Sequence, residues 1–347
     1  GNDRWEGVVV PQALGPHQLV VEGWIDHHAT WRHHLLAKVR AGLPVDDDME
    51  EGARLLVADA ARCAAPVARE IAAAAAALRR TSAPLEARVA PACDPDLAAE
   101  LSALPPIHGM GTSKTQSLWV DRTRAQVGAW YELFPRAFGG LAGATRRLPA
   151  VAAMGFDVVY LPPIHPIGST ARKGAGNTLD AGPDDPGSPW AIGSPDGGHS
   201  SIHPGLGGLA DFDAFVAAAA ELGLEVALDY ALQCSPDHPW VHEHPEWFHH
   251  RAAGSIRFAE NPPKQYQDIY PLDLLPPSEA DRQALWEACR DAMEYWIGHD
   301  VRIFRVDNPH TKPFVFWSWL LADVRTRHPE VVFLAEAFTR PRVMERL

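Results

Sequence analysis

The chain has 347 residues, is 46% hydrophobic and 22% charged, and carries a net charge of −13. That composition is ordinary for globular protein and long enough for two or three domains. The acidic balance argues against nucleic acid as the main partner, because phosphate binding calls for a basic face.

Four cysteines, Cys63, Cys93, Cys234 and Cys289, show no C-x-x-C spacing, so neither a zinc site nor a disulfide framework is suggested. A reducing cytoplasm is the expected setting. The longest apolar run, IAAAAAAL at 71–78, falls far short of the roughly 20 residues that span a bilayer, so no membrane partner is expected. Lysine is scarce, with five in the chain, which makes each position informative.

In chain order, residues 5–40 hold two alternating runs, RWEGVVVP and HQLVVEGWIDHHATWRHHL, which read as part of an antiparallel β module. Residues 45–103 are rich in Ala, Leu, Arg and Glu and broken by prolines. They predict helices at 48–61, 66–80, 82–89 and 95–103. A connection follows over 104–124. From 127 the rhythm changes to strand and helix in alternation: GAWYELFP, then RRLPAVAAMG, FDVVYLPP, LADFDAFVAAAAELG, LEVALDYALQ, a long helix from SEADRQAL, VRIFRVD, PFVFWSWLLADVRTRHP and EVVFLAE. That alternation predicts five parallel strands with the functional face at their C-terminal ends. An open sheet and a (β/α)8 barrel cut after its fifth strand both satisfy it, since a barrel needs eight. Two connections, 162–208 and 231–277, are far longer than the roughly 2–6 residues of a plain βα loop. Both follow strands and belong to the functional face. Each end of the chain reads as interior sequence, so a piece of a longer protein is expected.

Three strands end on carboxylates: EVALD on Asp229, IFRVD on Asp307 and FLAE on Glu336. One such acid is a common turn residue. Three at equivalent ends of consecutive parallel strands converge, and clustering carboxylates is costly unless they have work to do. In VRIFRVD the period of two puts Val301, Ile303, Arg305 and Asp307 on one face, with Phe304 and Val306 on the other. Arg305 should then favour the ionised form of Asp307, which suits a nucleophile. Glu336 follows a strand with no cation in its last residues, which suits a protonated acid. Such a pair points to glycosyl transfer, with the carboxyl groups about 5–5.5 Å apart for a retaining enzyme. The stretch DHPWVHEHPEWFHH at 237–250 is rich in histidine, but Pro245 breaks any helical metal motif, and no metal is expected.

FRVDNPH, FLAE and LDYALQ resemble the catalytic strand ends of the α-amylase superfamily, glycoside hydrolase family 13, and GFDVVYLPPIHP resembles its second strand. ARKGAGNTL, SPDGGHSSIHPGLG, ALQCSPDHPW, ENPPKQYQDIYP and VDNPHTKPFVFW together are similar to one bacterial subgroup, the α-1,4-glucan:maltose-1-phosphate maltosyltransferases, and TWRHH with the helical 45–103 segment resembles that subgroup's N-terminal and inserted helical regions. The resemblance implies an α/β (β/α)8 TIM-barrel catalytic domain with its first five βα units over 125–347, carrying the long loop 162–208 and a small inserted subdomain at 231–277. A partial β-sandwich-like module over 1–44 and a helical segment with its connection over 45–124 would precede it.

It implies Asp307 as nucleophile and Glu336 as general acid/base. Lys173, Gln233, Asp268 and Asn308 would bind the donor; Asn261, Lys264 and Tyr266 would lie near its phosphate; Asp229 and Arg305 would frame the nucleophile. Gln233-Cys234 stands where ordinary amylases have Asn-His. The implied reaction moves a maltosyl unit from α-maltose 1-phosphate to an α-1,4-glucan, without cofactor, in a homodimer. The superfamily's third carboxylate would lie beyond Leu347, so the chain alone is expected to be inactive. The alternatives are a superfamily hydrolase, a trehalose-forming isomerase or a non-catalytic glucan-binding module.

Overall fold

The computed structural model describes residues 6–104 and 109–346. It divides into two units, one of residues 18–118 and one of 1–17 with 119–347.

In the smaller unit, helices α1 (His27–Arg40), α2 (Asp46–Ala60), α3 (Ala65–Leu78), α4 (Leu85–Val89) and α5 (Pro95–Ser102) pack around Trp31, Leu35, Met49, Leu56, Ile71 and Leu78. The four helices expected from 45–103 form within a few residues of their expected bounds. Of the β module expected over 5–40, strands form at Gly15–Leu19 and Glu22–Gly23. Residues 27–40 are helical, because His28, Trp31 and Leu35 recur at helical spacing and are buried together. Asp26 caps the first turn, accepting from the Ala29 amide at 2.7 Å. Residues 6–11 form no strand, and Val8, Val9 and Val10 are exposed; the first residues of that run, 1–5, lie outside the described residues. The strands that do form are Gly15–Leu19, paired with Gln116–Val120, and Glu22–Gly23, in a short antiparallel pairing with Gly111–Thr112. The alanine run serves packing: Ala74 and Ala75 are buried in the core where α2 and α3 meet.

The larger unit is built on five parallel strands, β1 (Trp130–Glu132), β2 (Val158–Leu161), β3 (Glu225–Tyr230), β4 (Ile303–Val306) and β5 (Val332–Ala335), each beside its sequence neighbour. Helices α6 (Leu141–Thr145) and α7 (Leu148–Ala153), then α8 (Leu209–Glu221), α9 (Glu279–Gly298) and α10 (Phe314–Arg327) make the crossovers that parallel pairing requires. Alternation divides the strand residues. Val159, Leu161, Val226, Leu228, Phe304 and Val306 join the main core with the helices. Val158, Ala227 and Ile303 form a smaller cluster of their own, with Trp130, Tyr160 and Val332 against it. The second face is where Asp229 and Arg305 stand, as the period of two requires.

The long connections 162–208 and 231–277 leave from β2 and β3. The second carries a hairpin of Ala259–Asn261 and Lys264–Tyr266 and a short pairing of Gln233–Cys234 with Tyr270–Pro271. Among the described residues no helix is long and apolar enough to cross a membrane.

Candidate active site

Register sets the site. Arg305 on β4 is the direct partner of Asp229 on β3 and of Leu334 on β5. Asp307 and Glu336 follow where their strands end, the Asp307 amide donating to Tyr230 O at 3.1 Å and the Glu336 amide to Val306 O at 3.0 Å. One guanidinium then reaches all three acids. Arg305 Nη1 donates to Asp229 Oδ2 at 2.8 Å and to Asp307 Oδ1 at 2.9 Å, and Nη2 pairs with Glu336 Oε1. The Tyr160 hydroxyl, two residues along β2 from Val158, donates to Asp229 Oδ2 at 2.5 Å.

Burial pushes Asp229 up to about 7, against the pull of Arg305 and Tyr160. The Trp190 indole N–H faces Asp229 as well, short of full hydrogen-bond geometry. Burial alone would lower Arg305, but Asp229, Tyr160, Asp307 and Glu336 outweigh it and hold the guanidinium above its ordinary value. Glu336 is raised by burial and by a hydrogen bond to Asp307, while Arg305 and the Asn308 backbone oppose the rise. One expectation changes here. Glu336 does have a cation, supplied by the neighbouring strand, yet its carboxyl is still raised. Asp307 and Glu336 are both drawn onto one guanidinium.

Asn308 turns the chain out of β4 in the left-handed region, φ 41° and ψ 53°, which Asn tolerates better than other residues with a Cβ. That turn aims the following residues into a cleft of about 870 Å³. The cleft is lined by Asp307, Glu336 and Arg305, and by Gln233, Asn261, Tyr266, Asp268 and Asn308 of the expected donor-binding set. Asp229 lies behind Arg305, with its side chain fully buried. Lys173 is buried as well; its ammonium donates to Gln267 Oε1 at 2.8 Å and stands 3.9 Å from Asp268 Oδ1, and it lines a smaller neighbouring cavity. Burial raises the Asp268 carboxyl, with Lys173 opposing. Lys264 is exposed on the hairpin opposite Asn261 and does not line the cleft.

Sequence reasoning missed Tyr160, Trp190 and Lys312. Tyr160 was accessible from strand parity. Lys312 was accessible as one of five lysines, five residues past Asp307. Trp190 sits in an irregular loop that offers no periodicity to read.

His199, Cys234 and His238 form a buried group whose donor atoms lie within 4.8 Å of one another. Their ring nitrogens are committed elsewhere. His199 Nε2 bonds Ala231 O at 3.0 Å, His199 Nδ1 bonds His238 Nε2 at 3.1 Å, and His238 Nδ1 accepts from the Trp240 amide at 3.0 Å. With the proton on Nε2 of both rings every one of these partners is satisfied, as a hydrogen-bonded relay of neutral imidazoles. Burial holds His238 down at about 3 and His165, packed against His199, at about 4.

A family profile described as α-1,4-glucan:maltose-1-phosphate maltosyltransferase, domain N/S, matches residues 1–122. Over its whole length the chain is 54% identical to α-1,4-glucan:maltose-1-phosphate maltosyltransferase 1 of Streptomyces coelicolor, covering 52% of that protein. It is 48% identical to the Chlorobaculum tepidum maltosyltransferase, again covering 52% of it. For that of Mycobacterium tuberculosis the identity is 48%, over 97% of this chain and 49% of the relative. The chain thus spans about half the length of the curated relatives it matches. Among solved structures, an α-amylase from Lactobacillus plantarum aligns with TM-score 0.52 and 33% identity, over 62% of this chain and 46% of its own. The maltogenic α-amylase of Thermotoga neapolitana aligns with TM-score 0.51 and 27% identity, over 63% and 47%. Along its full length the chain is thus similar to the α-1,4-glucan:maltose-1-phosphate maltosyltransferases, over about half of their own length, and its fold is similar to that of α-amylases.

Proposed function

We propose that the protein carrying this chain is a retaining maltosyltransferase of α-glucan biosynthesis. The observation that carries the reading is the placement of Asp307 and Glu336, together with Arg305, on one cleft at the ends of consecutive parallel strands. The names of the relatives supply the substrate class, maltose 1-phosphate and an α-1,4-glucan. The five strands, each beside its sequence neighbour, are on this reading the first five of a (β/α)8 barrel. A cytoplasmic homodimer belongs to the same reading.

In the first step a carboxylate oxygen of Asp307 attacks the anomeric carbon, and the bond from that carbon to the phosphate oxygen breaks. Glu336 assists the departing phosphate with its proton; its raised carboxyl fits that duty. In the second step Glu336 takes the proton from the acceptor's 4-hydroxyl as that oxygen displaces Asp307. Two inversions give net retention. On this reading Asn308 and Gln233, at the cleft wall, bind sugar hydroxyls, and Arg305, bonded to both Asp307 and Glu336, orients the pair.

The test is phosphate release from α-maltose 1-phosphate with a glucan acceptor, using the full-length protein. Release with chain extension is expected. Starch hydrolysis without phosphate release would instead place the protein among the superfamily's hydrolases.

A further inference from the structure

We propose that Lys312 is a binding residue for the donor's phosphate group, a role that rests on the maltosyltransferase reading. A phosphate monoester entering this cleft meets four carboxylates on its lining, those of Glu260, Asp268, Asp307 and Glu336. The cations there are few. Arg305 is divided among Asp229, Asp307 and Glu336. Lys173 is turned to Gln267 and Asp268 and lies outside the cleft lining, and Lys264 is exposed on the hairpin.

Lys312 differs from all three. It lines the cleft itself, five residues beyond Asp307, past the left-handed turn at Asn308. Its ammonium donates to Thr311 Oγ1 at 2.9 Å and makes no ion pair among the described residues. An ammonium has three donors and no acceptor, so two N–H groups of a partly buried cation remain for a ligand. Burial lowers its pKa, with Asp307 and Cys289 opposing the fall, and an arriving dianion would add to their support of the charged form. His310, on the same wall, has a buried Nδ1 with no hydrogen-bond partner and gives the phosphate a second contact.

The experiment compares two donors in the full-length protein: α-maltose 1-phosphate, and α-maltosyl fluoride, whose leaving group carries no phosphate. The readout is the ratio of kcat/KM for the two. Lys312→Met is expected to lower that ratio about 10–100-fold, the loss of one charge-assisted hydrogen bond, while Lys312→Arg holds it within about 3-fold because the charge remains. Inorganic phosphate should inhibit Lys312→Met correspondingly less than the parent. An unchanged ratio, or equal slowing with both donors, would overturn the assignment by reducing Lys312 to a positioning residue. If Lys312→Met does not fold, Lys312→Gln reads the same ratio. A parent protein that turns over the fluoride but not the phosphate donor would sink the maltosyltransferase reading itself, whatever the variants do.

Discussion

One guanidinium faces three carboxylates, so Arg305 decides whether the acids can sit together at all. Its side chain is 15% exposed and that of Asp229 is fully buried. Removing the cation from such a group leaves buried like charges uncompensated, a loss of about 3–5 kcal/mol. Arg305→Ala is therefore expected to lower urea stability by roughly that amount and to abolish turnover. Arg305→Lys should recover part of the stability and little turnover, because a point charge cannot fork between Asp229, Asp307 and Glu336. Equal stability in all three proteins would contradict the shared-guanidinium account.

Asp229 makes a separate prediction with a definite sign. Its folded pKa, about 7, stands above the ordinary 3.8. Between those values the folded chain keeps a proton that the unfolded chain has released, so stability falls as pH rises from about 4 to 7 and levels above. Asp229→Asn should flatten that fall by about 2–3 kcal/mol between pH 5 and pH 8, read from unfolding curves at the two pH values. Much of this was legible beforehand. Three apolar runs ending on acids, with Arg305 two residues before Asp307, identified the cluster. That Arg305 also reaches Glu336 was not legible, because the contact runs between strands and depends on register.

At the scale of elements, periodicity found the strands and crossovers of the larger unit and the helices from 45 to 103. It failed at 27–40. HHATWRHHLLAKVR mixes polar and apolar residues closely enough to mimic alternation, while its buried set, His28, Trp31 and Leu35, follows the helical period. The loops were legible only as long. What fixes them is polar chemistry from distant segments. Asp237 accepts from the Ser169 and Thr170 amides at 2.6 and 2.7 Å and from the Thr170 hydroxyl, tying the loop after β2 to the loop after β3. The histidine relay adds a second tie. Gly193, at φ +107°, leaves room for His238; a Cβ there would lie 2.3 Å from the ring.

The relay has a pH signature. His165 and His238 are held at about 4 and 3, below the ordinary 6.5, so the unfolded chain takes up protons that the folded chain refuses. Stability contributed by these rings is complete above about pH 6.5 and is lost as pH falls toward the folded values, by roughly 2 kcal/mol per ring between pH 7 and pH 5. Proteolysis within 231–277 is expected to accelerate over that range, and Gly193→Ala to show the same acceleration already at pH 7. Cleavage rates that ignore both changes would mean the loop is held by something else.

At the scale of the molecule, the five-stranded sheet leaves an edge. β5 pairs with β4 on one side, and its Leu334 is 47% exposed while Phe338, just beyond Glu336, is 76% exposed. A parallel strand is ordinarily covered on both faces and both sides. The proposed barrel accounts for the exposure: in a protein of the relatives' length, further strands would pair along β5 and close toward β1. The prediction is read by hydrogen exchange. In the full-length protein, the β5 amides that point away from β4 should be protected to the same degree as those of β3, and Leu334 and Phe338 should resist replacement by polar residues. In the 347-residue chain expressed alone, the same amides should exchange quickly and the two polar replacements should be tolerated or should improve solubility. Fast exchange along β5 in the full-length protein would leave an open sheet as the architecture. The third carboxylate expected from a later strand would then have no route into the cleft that holds Asp307 and Glu336.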